Sequence, residues 1–259
     1  MSSTTWTARA VASDASKWRG DLWRAVEAQH VVATAALVDT LDEQHVLERL
    51  LEESKPAVPS SARALHWLLF TPFCYPPPPG GSRFRGPRDP GVFYGADEIR
   101  TACAELGHWR WRHLQDTPAL AAMPTKPQTL FRAGLATQCV DLRKPPFARD
   151  RAAWTRRDDY AACQQLARVA RKAGVGAIRY ESVRDPRAGG CAAVLSPAAF
   201  AAPMPLEQQT WMLSVTRERV VWQRTGVLQD DEFEFAAAAW HSAAGRARAP
   251  ARRTRRARR

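Results

Sequence analysis

A chain of 259 residues with 45% hydrophobic content is long enough for one large domain with extensions. Its five cysteines lie far apart without a CxxC pair and its six histidines include no HExxH pattern, which argues against a disulfide framework and a zinc site. No run approaches 18 uncharged apolar residues, no basic-then-apolar leader opens the chain, and eight arginines of the formal +12 charge fall between Arg246 and Arg259, leaving +4 elsewhere; this predicts a cytoplasmic protein without a membrane span.

Residues 1–17 read as a flexible N-terminus and residues 18–56 as an N-terminal helical segment. Within it, Asp21 to Glu53 places Leu22, Val26, Val32, Leu37, Leu41, Val46, Leu50 and Leu51 at near-helical spacing, which predicts one long helix or two shorter ones. The stripe in "VLERLLEE" serves either a homodimer or packing on its own domain. "SKPAVPSS" ends the segment, because its prolines lack the amide hydrogen. Residues 57–240 then read as the main domain. "ALHWLLFTPF" predicts a buried strand, "CYPPPPGG" an extended proline run, and "GVFY" a second strand. Asp97 is placed to cap a helix on which Ile99, Ala102, Cys103 and Leu106 share one face, with Glu105 at its border near Ala102 and Trp109.

"LFRAGLATQCVDLRKPPF" predicts a strand-rich connection. "DDYAACQQLARVARKAG" predicts a helix with Asp158 or Asp159 near its start and Gly174 past its end. "VGAIRY", "CAAVLSP", "TWMLSVT" and "RERVVWQRT" predict strands, the last two as a hairpin or meander. Mixed strands and helices without strict alternation argue for an α+β fold. The cysteines fit small core thiols. Residues 241–259 read as a disordered Arg-rich tail, which either contacts nucleic acid and other polyanions without sequence specificity or is a solvated end.

Three polar clusters stand at predicted strand ends: Tyr75 with Arg83, Tyr94 with Glu105, and Tyr180, Ser182 and Arg184 together. An arginine can hold a phosphate bidentately, a tyrosine can stack on a flat ring, and a carboxylate can stabilise positive charge on a sugar carbon. These types together describe a site for a nucleotide–sugar bond. Each also has a plainer reading: an ion pair for Glu105, a core aromatic for Tyr94, and a turn hydroxyl for Ser182.

The blocks "FTPFCYPP", "GSRF", "PGVFYGADEIRTACAE" and "RYESVRDPRAGG" resemble, in order, those of the RES-domain family, named for its Arg, Glu and Ser residues; the resemblance runs from about Val26 to about Val220. It implies an ADP-ribosyltransferase-like fold, a split mixed or antiparallel sheet with flanking helices. It also implies a toxin of a toxin–antitoxin pair that consumes NAD+ as its substrate by cleaving the nicotinamide–ribose bond, through hydrolysis or phosphorolysis, with no metal. Its partner would be an Xre-type helix-turn-helix antitoxin. By the same resemblance Glu105, Tyr94 and Ser182 are catalytic, and Arg83, Tyr75 and Arg184 bind NAD+. Transfer of ADP-ribose to a protein target is the alternative acceptor chemistry. One departure stands out: the family pattern "PFRYPP" has Arg-Tyr where this chain has Cys74-Tyr75. Loss of a phosphate-binding arginine would cost about 1.5–3 kcal/mol, so a catalytically impaired binding protein with the same fold is a further reading.

Overall fold

The computed structural model describes residues 6–28, 37–226 and 231–241. Among the described residues eight strands form a mixed sheet flanked by helices, in agreement with the α+β expectation: β1 (Ser16–Glu27), β2 (Phe93–Ala96), β3 (Ala122–Asp141), β4 (Ala177–Glu181), β5 (Gly190–Val194), β6 (Glu207–Thr216), β7 (Arg219–Arg224) and β8 (Glu232–Ala236). Their order is β1-β2-β5-β4-β3-β6-β7-β8, and β1 also pairs with β3, so the first five strands close on themselves. The 20-residue β3 makes this geometry: one end pairs with β6 and the other with β4 in the only parallel ladder among these strands. The sheet therefore divides along a single strand.

Among the described residues six α-helices accompany it: α1 (Ala8–Ser13), α2 (Leu41–Glu53), α3 (Trp67–Cys74), α4 (Ile99–Gln115), α5 (Arg151–Trp154) and α6 (Ala161–Lys172). Helix α4 packs Cys103, Ala104, Trp111 and Leu114 against Trp211, Trp222 and Phe235. Helix α6 covers Val140, Ile178 and Ala193 with Cys163, Leu166 and Ala170. Helix α3 sets Leu68 and Leu69 with Leu22, Phe93 and Phe131. Successive residues of β2 thus serve opposite faces, as a pleated strand requires. Cys103, Cys139, Cys163 and Cys191 are buried free thiols, which agrees with their reading as small core residues.

Several expected elements differ. Residues 16–27 are a strand rather than the start of a helix. Leu22 and Val26 satisfy both periods, and twelve residue pairs with β3 decide the matter. Among the described residues of the expected helical segment, α2 is the helix, beginning in a capping box made by Thr40 and Glu43, while residues 29–36 of that segment lie outside the described residues. Leu41, Val46, Leu50 and Leu51 on α2 are exposed and lack cover from the described residues. Residues 6–17, expected to be flexible, contain α1, and Trp6 stacks on Phe147 at 4.3 Å. "ALHWLLFTPF" contains helix α3 rather than a strand; a short apolar run has no period that separates the two. Asp97 does not cap α4. Glu98 holds that position, while Asp97 accepts a 2.8 Å hydrogen bond from Arg179. Strand β8 has no counterpart among the expected elements, and the arginine tail lies outside the described residues. Among those residues no helix is long and apolar enough to cross a membrane.

Candidate active site

The side chains in question converge where β1 and β2 separate. These strands meet at one pair, Trp23 with Ala96, and then diverge. A cavity of about 330 Å³ opens there, walled by β1, β2, α4, the loop at 78–83, and the side chains of Tyr160, Tyr180, Arg184 and Cys191. Arg83, Tyr94, Glu105 and Arg184 line it, and Ser182 lies behind Glu105. Tyr75 does not line it. That ring is 44% exposed in an adjoining cavity of about 450 Å³. A larger cavity of about 510 Å³ has Arg171 as its one ionisable lining residue and contains no carboxylate.

Glu105 is held from the α4 side, one turn beyond the buried Ala102. Its Oε1 accepts a 2.5 Å hydrogen bond from Ser182 Oγ, which in turn accepts from the backbone amides of Arg184 (3.1 Å) and Asp185 (2.9 Å). The serine is thus a relay that ties the carboxylate to the loop backbone. Burial pushes the Glu105 pKa up, opposed by the Ser182 hydrogen bond and by the guanidinium groups of Arg83 and Arg184. The plainer ion-pair reading of Glu105 fails, since no salt bridge to it is formed among the described residues.

Tyr94 reaches across the 82–85 turn. Its hydroxyl accepts from Phe84 N at 2.9 Å and bonds Ser82 Oγ at 2.7 Å, and burial raises its pKa to about 12. The neutral phenol therefore pins the loop that carries Arg83. Tyr94→Phe is expected to leave the buried Phe84 amide without its partner and to lower stability by about 1–3 kcal/mol in chemical denaturation. An unchanged stability would contradict this anchoring.

Arg83 is 8% exposed; its Nη1 donates to the carbonyls of Trp154 and Arg156, both at 2.9 Å, and its guanidinium lies 4.9 Å over Tyr160. Arg184 donates to Arg157 O (2.6 Å) and the Tyr160 hydroxyl (3.1 Å), and lies 5.7 Å from the Trp109 ring centre. Arg184 pairs with Asp158 rather than with its neighbour Asp185. Asp185 instead pairs with Arg100 and accepts from Thr101 Oγ1 at 2.8 Å, which bolts the serine loop to the start of α4. The arrangement places one carboxylate opposite several guanidinium groups and aromatic rings, a set suited to an anionic ligand with a cationic centre.

Two functional features escaped sequence reasoning. Asp185 carried no sign of its partner 85 residues away. Arg24 also lines the cavity, yet it sits in the stretch read as helix, where its position gave no signal. At position 74, the Cys74 thiol donates to Phe70 O at 3.6 Å and burial raises its pKa.

A family model described as RES domain matches residues 58–216. No curated protein matches the chain. Among solved structures, the crystal structure of the M. tuberculosis MbcT–MbcA toxin–antitoxin complex is similar, at 13% identity and TM-score 0.46, over 81% of this chain and 92% of that one.

Proposed function

Since the chain belongs to the RES-domain family, we propose that it consumes NAD+ by cleaving the nicotinamide–ribose bond, as a toxin restrained by an Xre-type helix-turn-helix antitoxin that blocks the cavity mouth. The observation that carries this reading is Glu105: a carboxylate fixed by Ser182 at the edge of a cavity otherwise rich in guanidinium groups.

As the glycosidic bond breaks, its electron pair leaves with the nicotinamide nitrogen and positive charge develops on the ribose C1′. An ionised Glu105 lowers the energy of that charge more than it lowers the ground state, which is what accelerates the step. Ser182 holds the carboxylate so that little reorganisation accompanies charge development. Tyr94 and Tyr160 wall the cavity with aromatic faces for the leaving ring, and Arg83 and Arg184 offset the phosphate charge. Water then adds to C1′ and loses a proton, giving ADP-ribose, nicotinamide and H+; phosphate in its place gives ADP-ribose 1-phosphate.

Incubating the full chain with NAD+ and resolving the products tests this. Free nicotinamide with ADP-ribose or its 1-phosphate is expected. Labelling of a protein would reassign the acceptor, and absence of nicotinamide under every condition would leave a binding protein that pairs with its antitoxin.

A further inference from the structure

We infer that a separate polar cavity, at the end of the sheet where β1, β3 and β4 meet, is a phosphate-binding site that takes inorganic phosphate or the phosphate end of a small ester. It shares no lining residue with the Glu105 cavity, so it stands or falls apart from the NAD+ reading.

The cavity encloses about 390 Å³, a size that holds a small organic ligand. Three elements bring cations to its wall: Lys17 from β1, Lys144 from the segment after β3, and Arg179 from β4. These elements meet because Cys139 of β3 pairs with Ser16 on one side and with Ala177 on the other. Ser16 adds a hydroxyl to the same wall.

Donors outnumber acceptors around it. Arg179 donates from Nη2 to Asp97 at 2.8 Å and lies 5.1 Å over the Trp18 ring. Its Nε is buried without an acceptor, and its Nη1 stands 3.9 Å from Asp141 Oδ2, too far for a hydrogen bond. Asp141 is already gripped by Arg143, whose Nε and Nη2 each reach one carboxylate oxygen at 2.8 Å. Asp97 and Asp141 thus balance Arg143 and Arg179. That leaves Lys17 and Lys144, which form no ion pair among the described residues, against Asp14 alone. A buried donor without an acceptor is costly unless a ligand completes it. A phosphate completes this one, with oxygens for the Arg179 fork and charge for both ammonium groups. The 510 Å³ cavity has no such surplus, because Arg171 spends its guanidinium on the carbonyls of Pro90, Gly91 and Leu195.

Footprinting of lysine amines tests the site. The full chain is treated with a limiting amine-acetylating reagent while inorganic phosphate or AMP is titrated at constant ionic strength, and peptide mass spectrometry reads each lysine. Lys17 and Lys144 are expected to lose most of their acetylation rate with one shared midpoint, while Lys55, Lys126 and Lys172 stay unchanged. Arg179→Gln is expected to raise that midpoint by about 10- to 100-fold. Lys17→Gln leaves the Arg179 network whole and should raise the midpoint read at Lys144 by about three- to fivefold. If Arg179→Gln fails to fold, the Lys17 variant carries the test. Absence of protection at Lys17 and Lys144 overturns the assignment, and so does equal protection of every lysine, which marks a general salt effect. An unchanged midpoint in a folded Arg179→Gln variant overturns it as well. A lower midpoint for AMP than for phosphate identifies an organic ester as the occupant, and a midpoint no lower identifies phosphate itself; both sustain the site.

Discussion

Glu105→Gln is expected to reduce nicotinamide release from NAD+ by about 100- to 1000-fold, the range seen when one preorganised electrostatic contact to a transition state is removed. Glutamine preserves shape and an acceptor for Ser182 Oγ, so the loss isolates the charge. The pH dependence supplies a second reading of the same group. Burial raises the Glu105 pKa, so the ionised form needed for catalysis is lost on acidification at a pH above the ordinary carboxylate range. The stability effect has the opposite sense. A carboxyl whose pKa is raised by folding contributes most below its unfolded value, and that contribution is lost as pH rises through the folded pKa. Glu105→Gln should therefore melt higher than the unmutated protein at neutral pH, with the difference vanishing in acid. Full turnover by this variant, or an acid limb at the ordinary carboxylate value, would refute the role given to Glu105.

Asp185→Ala is expected to destabilise the protein by about 3 kcal/mol in urea denaturation, near the low end for breaking a buried pair, because Arg100 retains some solvent contact. The aspartate is 5% exposed and holds Arg100, Thr101 and the backbone amide of Arg187 together. Its removal leaves Thr101 without its acceptor and loosens the loop whose backbone orients Ser182. Turnover should fall with stability, although Asp185 lies behind the reacting groups. Asp185→Asn keeps an acceptor and is expected to cost less. A loss under 1 kcal/mol for the alanine variant would show that the loop is held by other means.

The glycines of "RDPRAGG" bear on the same contact. A Cβ at Gly189 would stand 2.1 Å from Thr101 Oγ1, and one at Gly190 would stand 2.0 Å from an Asp97 carboxylate oxygen. The loop can approach α4 because those two positions lack side chains. The block was readable as a motif; the reason for its glycines was not, since Thr101 and Asp97 are some 90 residues away in the chain.

What the amino-acid order determined by itself was local: a strand containing Tyr94, though it runs Phe93–Ala96 rather than ending at the tyrosine, the apolar face of α4 with Glu105 at its border, helix α6 closed by Gly174 at φ 72°, and the serine-bearing loop after β4. Each depends on residues within a turn or two of one another, where periodicity, capping and backbone preference act directly. The tertiary structure decided what depends on distant partners. Residues 16–27 became strand because β3 offered twelve matched positions, and 67–74 became helix because it fitted over Leu22 and Phe93. The same long-range pairing turned Arg24 into the cavity and sent Asp185 to Arg100 instead of Arg184. Backbone ladders and buried charges choose their partners by proximity in the folded chain, a quantity that no short window of sequence contains.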